Sequence, residues 1–238
     1  MVATIARLTL ATLFGHRRGL LLFILPAVLL ALCVLLALTV DDTADFSAAL
    51  LQQFGLAVIL PLVALIAATG AISTEIDDGS IVYLLAKPIK RYTIILTKAG
   101  VALCVIFALG AIPMTLAGII LDPSDLRTAL AFGIGALVAG IAYTAIFTAI
   151  SVISANAVTI GLLYSLLWES VMGQYVDGAK ALSVQQWSLA VIQKLSDAPH
   201  IESAVKLPIA VILLVAVTVV GLTLAITRLR SLVLSTSE

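Results

Sequence analysis

Six apolar runs alternate with short polar stretches along the chain, each near the ~20 residues needed to cross the hydrocarbon core of a bilayer. They fall at Gly19–Val40, Phe54–Ser73, Ala99–Leu121, Thr128–Ile150, Ala157–Trp168 with a polar tail to residue 172, and Leu207–Thr227. Ser151-Val-Ile-Ser-Ala-Asn156 is the only break between the fourth and fifth runs, and it is long enough only for a tight turn. Without that turn the two runs would fuse into a helix much longer than a bilayer, so a turn is expected there. Residues 1–18 place Ile5, Leu8, Leu10, Leu13 and Phe14 among Arg7, Thr9, Thr12 and His16, a loose helical stripe that fits an amphipathic helix on a membrane surface or a plain extension of the first run. Ser183-Val-Gln-Gln186 matches a capping box, and Val184, Trp187, Val191 and Leu195 then repeat at three or four residues. The expected helix over 183–196 is amphipathic, stopped by Asp197-Ala-Pro199, and serves as an outer gate or an anchor. Tyr175 and Trp187 are residue types that favour the membrane–water interface, so this helix is expected to lie against the outer face.

The pattern predicts an all-α polytopic membrane protein, a single transmembrane domain over 1–238. Composition agrees: 62% of residues are hydrophobic and 11% charged, against about 25% charged in ordinary soluble domains. The basic residues before the first run resemble a signal peptide, but that run is too long and lacks a small-residue cleavage site, so it is read as a retained span. Net charge is zero, which gives no argument for a nucleic-acid partner, and the placement of the charges carries more information. With the N-terminus inside, Arg7, Arg17, Arg18, Lys87, Lys90, Arg91, Lys98, Arg228 and Arg230 are cytoplasmic, and Arg127, Lys180, Lys194 and Lys206 are outside. This bias places both termini in the cytoplasm of a plasma (inner) membrane protein.

Pro26, Pro61 and Pro113 lie within the first three runs, where each removes a helix hydrogen bond and can kink its span. Ala129, Gly133, Ala136 and Gly140 form a small-residue face that permits close helix contact, within the chain or across a dimer. Cys33 and Cys104 are flanked by apolar residues and read as small buried side chains, not as a disulfide or metal framework.

Chemistry is sparse. The first four runs and the last hold no ionisable side chain, and only Glu169, just after Trp168 at the expected outer end of the fifth, comes close to lying within one. It is either part of a substrate pathway or a carboxylate at headgroup level. An ion-coupled carrier usually needs acidic groups or broken helices at mid-membrane, and no such set is evident. His16 and His200 fall on opposite sides and cannot form a metal site together, and G-x-x-x-x-G-K-[ST] is absent, so ATP cannot be bound in the P-loop manner. No cofactor is expected in the chain itself.

The stretch 75–91 cannot be explained as membrane filling. Asp77-Asp78-Gly79-Ser80 supplies turn and N-cap chemistry, Ile81, Leu84 and Leu85 fall on one face of a short helix, and Lys87-Pro88 ends it. Two turns of helix are marginal alone in water, so the face must rest on membrane or protein. An apolar second span, then Glu75-x-x-x-Gly79-Ser80-Ile81-x-x-Leu84-Leu85-x-x-Pro88-Ile89-x-Arg91, then a third span, resembles the permease subunits of type 2 ATP-binding-cassette exporters. The resemblance implies that this loop is a coupling helix docked on a cytosolic nucleotide-binding ATPase subunit, which holds the ATP and Mg. Ile81, Leu84 and Leu85 would fill its groove, with Asp77, Asp78, Lys87 and Arg91 setting orientation and Glu75 at the junction. It also implies a second permease subunit, identical or not, and efflux of a hydrophobic or amphipathic compound. A membrane scaffold or immunity subunit that transports nothing, and an ion-coupled secondary carrier, are the alternatives.

Overall fold

The computed structural model describes residues 2–15, 17–40, 44–77, 91–196 and 201–234, and every regular element among them is helical. In chain order these are α1 (Val2–Gly15), α2 (Arg17–Thr39), α3 (Ala44–Leu50), a π-helical stretch (Leu51–Ile59), α4 (Leu60–Asp77), α5 (Arg91–Ile106), a second π-helical stretch (Phe107–Ala111), α6 (Ile112–Leu121) and α7 (Leu126–Ile153). They continue as α8 (Ala157–Leu163), a third π-helical stretch (Tyr164–Met172), α9 (Gly173–Tyr175), α10 (Asp177–Lys180), α11 (Val184–Ser196) and α12 (Leu207–Leu234).

Among the described residues, five helical segments are long and apolar enough to cross a membrane: Gly19–Thr39, Phe46–Ile72, Tyr92–Leu121, Leu126–Ile153 and Leu207–Leu229. The sixth expected span is not among them. Residues 157–175 are helical throughout, but Ser165, Glu169, Ser170 and Gln174 give the segment a polar load, and nine of its residues form a π-helix. The second and third spans begin earlier than expected, at Phe46 and Tyr92, because the polar residues at their starts are absorbed into helix. The turn between the fourth and fifth runs lies where expected: α7 ends at Ile153, and Ser154 Oγ accepts the Asn156 amide at 3.1 Å.

The segment Phe46–Ile72 is the most enclosed, with 83% of its apolar window buried, whereas Gly19–Thr39 and Leu207–Leu229 are each 22% buried and turn their Leu, Val and Ile side chains outward. α7 runs through the middle, packed on α4, α6, α11 and α12. Its small residues make this possible. A Cβ on Gly133 would collide with Thr115 of α6, one on Gly135 with Ile192 of α11, and one on Gly140 with Ile106 of α5. The small-residue face is therefore used within the chain, as close backbone approach requires.

Two of the three prolines sit where the helix changes pitch. Pro61 and Pro113 are each the second residue of an α-helix that directly follows a π-helical stretch, while Pro26 lies inside the uninterrupted α2. The wider π turn gives room for the carbonyl that a proline ring would otherwise strike. Cys33 is buried as expected, whereas Cys104 faces outward, because its neighbours Ala102 and Val105 take the inner face of α5.

Candidate functional site

At one end of the bundle, α4 and α5 bracket the 75–91 loop. Glu75 and Asp77 lie in the last turns of α4, which Asp77 ends, and Arg91 is the first residue of α5. Asp78, Gly79, Ser80, Ile81, Leu84, Leu85, Lys87 and Pro88, and with them the expected short helix, lie outside the described residues. The base beneath them is well built. Ile94, Ile95, Ala99 and Ala102 bury one side of α5 against α4 and α1. Lys98, also on that side, is 2% exposed, and its Nζ donates to Ala71 O of α4 at 2.6 Å.

α1 completes this base. Ile5, Thr9 and Leu13, spaced one helical turn apart, are buried, and Leu13 lies against Gly70 of α4. The Thr9 hydroxyl is returned to Ile5 O at 2.9 Å, so no polar atom of that stripe is left open. Leu8, Leu10 and Phe14 point outward. α1 is therefore packed on the bundle with one apolar face and exposes a second, instead of resting only on a surface.

The buried Lys98 corrects the expectation that the third span holds no ionisable side chain. The span starts at Tyr92, seven residues earlier than expected, and the apolar spacing of Ile94, Ile95 and Ala102 around Lys98 is the signal that could have placed the lysine on the buried face.

A polar knot occupies the opposite end, centred on Glu169. The side chain is fully buried and does not open to solvent. Oε1 accepts from Tyr164 Oη at 2.7 Å and from the Val184 amide at 3.1 Å; Oε2 accepts from Ser183 Oγ at 2.6 Å and from the Gln185 amide at 3.2 Å. Four donors fill the roughly four acceptor positions of a carboxylate. Two of them are the first amides of α11, whose positive end favours a negative charge. At the far end of α11, Arg127 Nε donates to Leu195 O at 2.7 Å. The helix is thus held by a carboxylate at its N-terminus and a guanidinium at its C-terminus, each from a different segment.

This arrangement revises the reading of 183–196. The helix exists with the expected bounds, but the capping box is not made: Ser183 donates to Glu169, and Gln186 turns to Gly173 O and the Ala204 amide. Nor does the helix lie on the outer face. Val184 to Ala190 are all buried, and Trp187, expected at the interface, is 4% exposed with Nε1 donating to Ala181 O at 2.9 Å. Tyr175, at 73% exposed, does face outward. Near Glu169, Tyr143 is buried, and Phe147 stacks on its ring and meets Tyr164 edge-on.

Beside the knot, an open cavity of about 420 Å³ lies between the first and third π-helical stretches, with Phe46, Gln53, Phe54, Ser170, Gln174 and Tyr175 in its wall. Among the described residues, aromatic and aliphatic side chains, two amides and two hydroxyls line it. Ser170, the neighbour of Glu169, faces this space.

Long apolar helices packed around a buried core have the architecture of a multi-pass membrane protein. Residues 15–175 match the family model described as ABC-2 family transporter protein. The chain belongs to this family, the transmembrane component of ATP-binding-cassette transporters, which works with ATP-binding subunits. A search of curated proteins finds no match.

Proposed function

We propose that the chain is an exporter permease: paired with a second permease subunit, the same or different, it forms a path for ATP-driven efflux of a hydrophobic or amphipathic compound. The observation that carries this reading is the family match, which spans the 75–91 loop and both helices that bracket it. Ile81, Leu84 and Leu85 fill an apolar groove of the cytosolic ATPase subunit, and Asp77, Asp78, Lys87 and Arg91 orient the contact. Glu75 sits at the span-to-loop junction, and Gly79, Ser80 and Pro88 shape the ends of the coupling helix. ATP and Mg belong to the ATPase. The bias of Lys and Arg supports cytoplasmic termini in the plasma (inner) membrane.

The base of the loop suits this work. α4, α5 and α1 are packed together, and the Lys98–Ala71 bond ties the two bracketing helices, so a push on the loop moves them as one body. The cavity is within the ~300–1,000 Å³ range of small-molecule sites, and the rings, amides and hydroxyls among its described lining suit a compound with apolar surface and a few polar groups. Glu169, with all its acceptor positions filled, serves this reading as the anchor of the cavity's neighbourhood and not as a substrate ligand.

The test is reconstitution with the ATP-binding subunit in proteoliposomes. Compound movement that requires ATP, with hydrolysis stimulated by the compound, is expected. Flux that follows an ion gradient without ATP would identify a secondary carrier, and ATP hydrolysis indifferent to every compound tried would favour a scaffold.

A further inference from the structure

Pro61 has no amide hydrogen, so the carbonyl four residues before it, Ala57 O, loses the donor that an α-helix would supply. Ala57 is fully buried, and an unpaired buried carbonyl is costly. Ser170 Oγ approaches this oxygen at 2.9 Å from the third π-helical stretch, 113 residues away in sequence. The same Oγ lies 3.0 Å from Ser165 O, within its own helix. A serine hydroxyl has one proton and two possible acceptors, one in the second span and one in its own segment. A second bond joins the same regions, from Gln185 Nε2 of α11 to Gln52 O at 2.9 Å, so the first π-helical stretch is held from outside at two carbonyls.

We propose that Ser170 is a positioning residue that replaces the amide Pro61 lacks, and that its choice between Ala57 O and Ser165 O sets the bend of the second span at the cavity wall. With the proton on Ala57 O, the second span is tied to the 164–172 helix. With the proton on Ser165 O, Ala57 O is released and the span is free to flex at Pro61. Ser170 and Val58 both line the cavity, so a compound that hydrogen-bonds to the Ser170 hydroxyl biases the choice. The inference rests on the fold and not on the direction or energy source of transport.

Amide exchange on the full chain in lipid nanodiscs tests the first half as a double-mutant cycle. Ser170→Ala should speed exchange in peptides covering 51–63 by roughly fivefold, the scale of one lost hydrogen bond. Ser170→Thr should restore the wild-type rate. In a Pro61→Ala background, where the helix supplies its own amide, Ser170→Ala should change exchange by less than about twofold. Equal acceleration in both backgrounds, or none in either, overturns the proposal. If Ser170→Ala alone does not fold, Pro61→Ala must rescue it, and failure of that rescue overturns the proposal too. For the second half, spin labels at Gln53→Cys and Gln174→Cys, with Cys33 and Cys104 replaced by Ala, should give two distance populations whose ratio shifts on Ser170→Ala. One distribution that this change leaves untouched contradicts the hinge.

Discussion

Among the described residues, each end of the bundle buries one charged side chain, and they are held in opposite ways. Lys98 reaches from α5 to a backbone carbonyl of α4, and the two helices it joins are the ones that bracket the loop. Glu169 receives four donors, two of them amides at the start of α11, within a knot of three segments. One contact ties a pair of helices that must move together; the other fixes a buried helix in place. A lysine carries its donors on a flexible stem and can follow a shifting carbonyl, whereas a carboxylate that satisfies fixed backbone amides cannot move without orphaning them. On the proposed reading, the loop end transmits and the opposite end holds.

The contrast can be broken by substitution. Glu169→Gln should have the largest effect. The amide cannot accept from four donors, and each buried donor left unpaired costs about 1–3 kcal/mol, read as a fall in the thermal unfolding midpoint of the purified protein. Lys98→Met should destabilise less, by about 1.5–3 kcal/mol, the scale of a hydrogen bond from a charged donor. Its sharper signature is functional: ATP hydrolysis by the docked partner should continue while compound movement falls. If Lys98→Met costs as much as Glu169→Gln, the two ends do not differ as argued.

Gly135→Ala drives a methyl into Ile192 and should cost about 1–3 kcal/mol through overpacking, with α11 losing exchange protection first. A smaller effect is expected at Asp125, which caps α7 through the Thr128 amide at 3.0 Å. Asp125→Ala should cost ~1 kcal/mol. Hydrogen bonds from Thr128 hold the Asp125 carboxyl below its ordinary range. A lowered folded-state pKa means that the contribution is fully present above the unfolded value near 4 and disappears as pH falls through the lower folded value. The difference between wild type and Asp125→Ala should therefore shrink in acid, as unfolding midpoints compared at neutral and acid pH would read.

Local pattern carried the helices well. The apolar runs, the turn at 154–156 and the helix at 183–196 follow from hydropathy and helical spacing, and the small face of α7 was visible as small residues three and four apart. What escaped were long-range pairings. Glu169 and Val184 are 15 residues apart, Ser170 and Ala57 are 113, and nothing in either neighbourhood announces the partner. Ser183-Val-Gln-Gln186 misled for a physical reason: the carboxylate of Glu169 is a stronger acceptor for the α11 amides than a serine hydroxyl, and it displaced the local cap. Trp187 misled because its ring is buried by α11 entering the bundle, an outcome that amphipathic spacing alone cannot distinguish from lying on a surface. The fifth run was obscured by the same polar residues that build the knot.

The central claim is that the loop at 75–91 is where a separate ATPase takes hold, and co-purification tests it most directly. The chain carrying Leu84→Asp and Leu85→Asp would be expressed with the ATP-binding subunit and captured from membranes. Loss of the ATPase from a chain that keeps its helical content and thermal midpoint is the predicted result. Undiminished capture of the ATPase by that variant would contradict the account.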